Sequence, residues 1–421
     1  MSTYTQVETN GLYELTDAAR SELISSKYYN EDLAPTSVSQ RTWTTYNISM
    51  LWVGMAICVP SLTLATGLVT AGISPWLAIL NVALGNFIIL IPIQLNANIG
   101  CRYGISFPGF ARITFGSRGA QLPILTRAFT ACGWVSVLAW VGGGAIAAAL
   151  GCFIPKFADP DWTVTLPSWG GMQTHSAGIF IGYIIFILLM AWVAYKGVGR
   201  IRVLQNIGGP ILLALLIGLL AWSVKIGSDA GFSFGDIMNQ HSTLHGRAFW
   251  GVYLTGLMGN IAFWAMMAFN IPDFSRYARS QKAYFRGQLY GLPVPMVFCA
   301  FVGAFYAQAA TLFNAANGLS EGKSGWYDPF DAIHVLYNID SKATVLITAL
   351  GVVIATLTTC IAANLVSAAN GFANLSPAKI SYKRGVFISI LIAFFVLQAW
   401  WIYGSGSAYF TWMNAYGTIL S

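Results

Sequence analysis

Long apolar runs separated by short polar links fill the chain from about residue 46 onward. No Asp, Glu, Lys or Arg lies between Arg41 and Arg102. Similar gaps separate Arg127 from Lys156, Asp161 from Lys196, Arg202 from Lys225, Arg247 from Asp273, Arg286 from Glu321 and Lys342 from Lys379. A helix rises about 1.5 Å per residue and a bilayer's hydrocarbon layer is about 30 Å thick, so each gap accommodates one membrane span and the first accommodates two. Charge gaps and Gly/Pro punctuation predict spans at 46–70, 75–99, 122–151, 176–195, 205–225, 248–270, 288–312, 343–370 and 386–403. A tenth begins near Ala408, but the 14 residues from there to Ser421 make only about 21 Å of helix, too short to cross. The expected class is an all-α polytopic membrane protein whose last helix is truncated. Links such as AGISP at 71–75 suit helical hairpins. Residues 1–45 make a polar N-terminal segment without a signal-peptide h-region, and 46–421 make the transmembrane domain, uninterrupted by any soluble insertion.

One pattern recurs within these spans. W-V-G-M-A-I-C-V-P at 52–60 and W-A-M-M-A-F-N-I-P at 264–272 share Trp, Met, Ala and Pro in register. They lie in the first and sixth spans, so they run in opposite directions across the membrane, as in an inverted repeat with a binding site at its midplane. The halves would cover about 46–227 and about 247–421, the second incomplete. Pro60 and Pro272 cannot donate a backbone hydrogen bond, so both helices are expected to be kinked or opened near their middles. Opened turns at membrane depth are tolerated where they line a cavity or meet an ion. A plain proline kink is the alternative for either proline alone.

Composition agrees with this pattern, since 56% of the residues are hydrophobic and only 9% charged. A soluble domain carries about a quarter charged residues. The net charge of +7 reads as topology rather than nucleic-acid binding, because the basic residues sit in short loops. With the N-terminus in the cytoplasm, loops near 101–121, 196–204, 273–287 and 378–385 hold most Lys and Arg, whereas the outer loops hold Lys156, Lys225, Arg247, Lys323 and Lys342. That asymmetry satisfies the positive-inside rule for a multi-pass protein of the cell (plasma or inner) membrane. Asp159, Asp161, Asp328 and Asp331 fall outside, as do His175, His241, His245 and His334. The six cysteines lack paired or metal-ligand spacing and read as packing thiols.

No charge occupies the centre of a span, which argues against a proton relay. With no metal motif, nucleophile–base pair or phosphate loop, an enzyme is unsupported. Candidate chemistry lies instead in the eighth span, G-V-V-I-A-T-L-T-T-C-I-A-A-N from Gly351. The hydroxyls of Thr358 and Thr359 are hard oxygen donors that, with three exposed carbonyls, suit sodium. They could equally back-bond to their own helix. Asn364 could bind a polar ring or simply bridge helices. Trp134 and Trp264 offer flat faces to a planar solute. Trp169, Trp250, Trp400 and Trp401 read as interfacial belt residues. The GGG run at 142–144 permits close helix packing.

At these residues the chain resembles the nucleobase-cation symport family of hydantoin, allantoin, purine and pyrimidine permeases. The resemblance rests on L-W-V-G-M-A-I-C-V-P, on G-I-S-F-P-G-F-A-R-I-T-F-G-S-R-G-A at 104–120 and on C-G-W-V-S-V-L-A-W at 132–140. F-W-A-M-M-A-F-N-I-P-D-F-S-R-Y-A-R-S at 263–280 and A-T-L-T-T-C-I-A-A-N at 355–364 complete it. It implies a fold similar to the LeuT type, with five plus five inverted helices. It further implies that Trp134 and Trp264 sandwich a flat ring beside Phe263, that Asn364 hydrogen-bonds the ring amide, and that carbonyls of Gly54, Ile57 and Ala355 with hydroxyls of Thr358 and Thr359 hold sodium. Two positions depart from the family pattern: Leu138 replaces a ring-binding glutamine, and Cys58 stands at the first-helix polar position. The function implied is import of a small planar solute with sodium as coupling ion, by a monomer without other cofactors. Proton coupling, uncoupled facilitation and a truncated chain that only binds remain alternatives.

Overall fold

The fold follows from the apolar runs, and a computed structural model describes residues 5–7, 11–321, 323, 325–329 and 341–404 of the chain. Asp331, His334 and the tenth helix expected from Ala408 lie outside the described residues. After a two-stranded hairpin, β1 (Thr5–Val7) and β2 (Tyr13–Leu15), come helix α1 (Asp17–Ser25) and the first span, α2 (Thr45–Ala56) and α3 (Val59–Thr70). The succeeding elements are α4 (Pro75–Tyr103), α5 (Phe107–Gly119) and α6 (Gln121–Gly151). A second hairpin, β3 (Thr163–Ser168) and β4 (Gly171–Ser176), precedes α7 (Ala177–Tyr195), α8 (Val198–Asp229), α9 (Phe234–Met238) and α10 (Gly246–Asn270). Then follow α11 (Pro272–Ser275), α12 (Gln281–Gly291), α13 (Pro293–Ala316), α14 (Lys342–Thr359), α15 (Val366–Leu375), α16 (Tyr382–Leu391) and α17 (Ala399–Gly404). Among the described residues seven helical stretches are long and apolar enough to cross a membrane, and α2 with α3 make an eighth span bent by 56°.

Two groups of helices result. α4, α10, α12 and α13 pack around α2 and α3, while α6, α7, α14, α15 and α16 form the second group, with α8 touching α2, α13 and α14. Small residues set the spacing where the chain predicted close approach. A Cβ at Gly143 would collide with the backbone of Tyr183 on α7, and one at Gly182 would collide with the Gly143 carbonyl.

Three expectations are corrected. The ninth span is not one helix over 386–403: α16 passes into a π turn at Ile392–Val396, and Gln398 at φ 41° separates it from α17. Trp400 is not a belt residue; it is buried against Phe180, Tyr183 and Phe394, and its indole donates to the Pro167 carbonyl of β3 at 3.0 Å. The β3–β4 hairpin thus covers this end of the second group, while Trp169 and Trp250 remain exposed. Pro272, third, does not open the helix that precedes it.

The N-terminal segment is folded over the helix ends rather than trailing from them. Arg41 is buried and donates to the carbonyls of Thr36, Cys101 and Tyr13. Asn30 donates to the carbonyls of Pro377 and Ile380, and the Asp32 carboxylate accepts from the Tyr382 amide at 2.7 Å. The F-P-x-x-x-R stretch of α5 joins the same lattice, with Arg112 donating to Asn374 Oδ1 and to the Tyr28 carbonyl.

Candidate functional site

Pro60 does what its chemistry requires. The α2 ladder ends with Ile57 N–H donating to Val53, Ile57 takes φ −86° and ψ 87°, Cys58 is extended, and the helix restarts at Val59 with Pro60 in its first turn. Proline lacks the donor that would reach Ala56 O four residues back. That carbonyl accepts instead from Cys58 N–H at 3.1 Å and from the Cys299 thiol at 3.7 Å. The break also leaves Gly54 and Met55 carbonyls without helical donors, and the Thr359 hydroxyl of α14 lies 3.2 and 3.1 Å from them.

Pro272 behaves differently. The helix expected to open near its middle is unbroken from Gly246 to Asn270, Ile271 is still helical at φ −57° and ψ −29°, and Pro272 begins the short α11. It falls beyond the end of the span, and the Ala268 carbonyl that it deprives of a donor receives the Asn96 side-chain amide of α4 at 2.8 Å. With its orphan carbonyl satisfied, the chain has no reason to unwind there.

The expected solute residues do converge. Cys58, Pro60, Trp134, Leu138, Phe263, Trp264, Thr359 and Asn364 line one cavity of about 50 Å³, joined by Arg127, Met266, Met267 and Ala363. That space holds a few waters but not a ring, so the aromatic faces must part to admit a solute. Trp264 is only 2% exposed and is wedged edge-on between Trp52 at 5.4 Å and Phe263 at 5.0 Å. Trp134, on α6, is half-buried at the same cavity. Asn364 stands in a π-helical turn, Cys360–Leu365, where the displaced hydrogen-bond ladder lets the side chain face the cavity.

Among the expected cation ligands, Gly54, Thr358 and Thr359 meet at the α2–α14 contact. The Thr358 hydroxyl donates to its own helix, at the carbonyls of Ile354 (2.8 Å) and Ala355 (2.9 Å), whereas that of Thr359 crosses to α2. Ile57 and Ala355 border a separate apolar crevice of about 300 Å³ that also reaches Cys58.

Sequence reasoning missed Arg127, using it only to mark where a span begins. It is buried in α6, its Nε donating to Asn270 Oδ1 at 2.6 Å and its Nη2 to the Ala363 carbonyl at 2.7 Å, beside Asn364. Asn270 in turn donates to Asp273, whose carboxylate also accepts from the Phe107 amide. Burial pushes the Asp273 carboxyl above the ordinary carboxylate range, opposed by Arg276 and by those hydrogen bonds. The available signal was spacing: Arg127 lies seven residues before Trp134, two turns down the same helix face.

A span broken at Pro60, with the Thr359 hydroxyl both meeting the freed carbonyls and lining an aromatic cavity, places the chain among broken-helix membrane proteins. The chain belongs to the family described as permeases for cytosine/purines, uracil, thiamine and allantoin, whose model matches residues 35–421. It is 38% identical over 394 residues to a purine-uracil permease of Arabidopsis thaliana, covering 93% of this chain and 61% of that protein. It is 29% identical to an allantoin permease of Bacillus subtilis, covering 94% of this chain and 76% of that one. Its fold is similar to that of Mhp1, a nucleobase-cation-symport-1 family transporter solved closed with bromovinylhydantoin bound. The TM-score is 0.70 at 21% identity, covering 93% and 78% of the two chains. These relatives are permeases and transporters, not enzymes.

Proposed function

We propose that this protein is a secondary active transporter that imports a small, flat, nucleobase-like solute together with sodium by alternating access. The observation that carries the reading is Thr359: it lines the aromatic cavity and its hydroxyl meets the carbonyls released where α2 breaks. A cation held at that junction and a ring held in the cavity would order the same contact, so each would raise the other's affinity by the same factor. Trp134 and Trp264 form the ring faces beside Phe263, and Asn364 pairs with a ring amide, since a carboxamide both donates and accepts. Gly54, Ile57, Ala355, Thr358 and Thr359 supply the sodium oxygens. Leu138 and Cys58 present little hydrogen-bonding capacity, so the preferred solute has few polar groups on that edge; leaving one unpaired costs about 1–3 kcal/mol.

Helices α2, α3, α4, α10, α12 and α13 rock against α6, α7, α14, α15 and α16, and the two halves, about 46–227 and 247–421, are inverted repeats. Trp52 and Trp264, matched in those halves, touch edge to face at 5.4 Å, as equivalent positions near a pseudo-two-fold axis would. The basic end, with the N-terminus, faces the cytoplasm, and the protein acts as a monomer in the cell membrane. Uptake into proteoliposomes tests the reading against a panel of nucleobases, hydantoins and allantoin. Accumulation above equilibrium that vanishes when choline replaces sodium supports it, and accumulation indifferent to that exchange rejects sodium coupling. Equilibration without concentration would favour an uncoupled facilitator, a reading consistent with the Thr358 hydroxyl bonding within its own helix.

A further inference from the structure

Gln205 of α8 is 1% exposed and sits where α2, α8 and α14 meet. Its Nε2 donates to the Thr358 carbonyl at 2.9 Å, while its Oε1 is buried without a hydrogen-bond partner. The amide cannot be turned over to cure this, because Oε1 would then face the Thr358 carbonyl, acceptor against acceptor. Oε1 instead lies directly against the α-carbon of Gly54, close enough that a Cβ there would collide with it. A Cβ at Gly54 would also sit 3.5 Å from the Thr358 side chain, so the three residues form one cluster.

The cluster has more acceptors than protons. The Thr358 hydroxyl is shared between two carbonyls of its own helix and the Thr359 hydroxyl between two of α2. No proton is left for Gln205 Oε1. A buried polar atom without a partner is rare and asks for a missing one. A surplus of uncharged hard oxygens in an apolar interior is the donor set that a small alkali cation satisfies.

We propose that Gln205 Oε1 is a further ligand of the coupling cation, so that α8 joins α2 and α14 in holding it. This rests on the cation-coupled reading above. The same side chain ties α8 to the Thr358 carbonyl, so cation binding would draw three helices together rather than two. Glycine at 54 is then required by more than the helix break, since any side chain would displace the ligand.

Sodium half-saturation tests it, read from intrinsic tryptophan fluorescence and from solute uptake by the purified full chain in proteoliposomes, with uracil and allantoin as probes. Gln205→Met keeps the shape but removes the oxygen, and half-saturating sodium is expected to rise at least about tenfold. Gln205→Glu keeps the oxygen and loses the amide donor, and is expected to match or lower the wild-type value at neutral pH. Probe affinity in choline is expected to be unchanged in both variants, which separates a lost ligand from a misfolded site. Wild-type half-saturation in Gln205→Met overturns the inference. So does an equal loss in both variants, since that would assign Gln205 only the bond to Thr358. A wild-type protein indifferent to sodium overturns the coupled reading and this inference with it, whereas sodium dependence unmoved by either substitution overturns this inference alone.

Discussion

Thr359→Val is the most direct perturbation of the junction between cation and solute. Valine is close to threonine in shape, so the change removes one hydroxyl and little packing. In the structure that hydroxyl lies 3.2 Å from Gly54 O and 3.1 Å from Met55 O, both at the α2 break. Losing it leaves two buried carbonyls without a donor and removes one expected sodium ligand, at a cost of about 1–3 kcal/mol. If that cost falls on the sodium-bound state, half-saturating sodium rises by about 5–150-fold. At a sodium concentration below saturation the enhancement of solute affinity by sodium then shrinks, because less of the protein carries the cation. The assay is a solute titration by tryptophan fluorescence, run in sodium and in choline. Solute affinity is expected to fall in sodium and to change little in choline. An equal loss in both media would refute the reasoning, because Thr359 would then be only a wall of the cavity. The companion Thr358→Val is expected to raise half-saturating sodium as well, because the Thr358 hydroxyl donates its proton within α14 while its oxygen lone pairs stay available to a cation; an unchanged sodium affinity would remove it from the ligand set.

Trp134→Ala and Trp264→Ala should each weaken solute binding by about 0.5–1.5 kcal/mol for the lost ring contact, measured by equilibrium binding of a labelled base. Trp264→Ala should also lower thermal stability, by about 3–5 kcal/mol, because that ring is buried against Trp52 and Phe263. Asn96→Leu strips the donor from the Ala268 carbonyl, so it should destabilise the protein by about 1–3 kcal/mol in a thermal melt while leaving solute affinity unchanged. Leu138→Gln restores an amide to the cavity wall and should shift competition profiles towards rings with an additional donor–acceptor edge, by about 0.5–1.5 kcal/mol.

The spans were legible because charge is so costly in lipid that about twenty residues without it mark a crossing. The break at Pro60 was legible for a similar reason, since a missing N–H admits few accommodations. What could not be read were interactions whose partners lie far along the chain. Asn30 looks like any polar residue in a tail, yet it clamps the carbonyls of Pro377 and Ile380. Trp400 has the composition of a belt residue, and only the β3–β4 hairpin over it makes it a core residue. Arg127 marked a span boundary by its charge, while its actual role depends on Asn270 and on a π turn that no periodicity announces. The convergence of Trp134, Trp264 and Asn364 followed from motif resemblance; the narrowness of the cavity between them did not.

The two matched prolines show why a local rule settles one helix and not the other. Pro60 and Pro272 each free the carbonyl of an alanine four residues earlier, Ala56 and Ala268. At Ala268 a carboxamide from α4 arrives at 2.8 Å, the unsatisfied acceptor disappears, and the helix keeps its course into α11. At Ala56 the available donors are the main chain of Cys58, which must leave the helix to reach it, and a thiol, a weak donor at 3.7 Å. Relief at that position therefore costs the next turn its own bonds and releases Gly54 and Met55 carbonyls as well. Those are the atoms that Thr359 meets, and the Gly54 carbonyl is one of the proposed cation ligands. The sixth helix, intact, can instead hold Trp264 rigidly as one wall of the cavity. The asymmetry between the two proline-bearing helices, one broken at Pro60 and the other unbroken behind Trp264, thus traces to whether a neighbouring helix brings a side-chain donor to a single carbonyl.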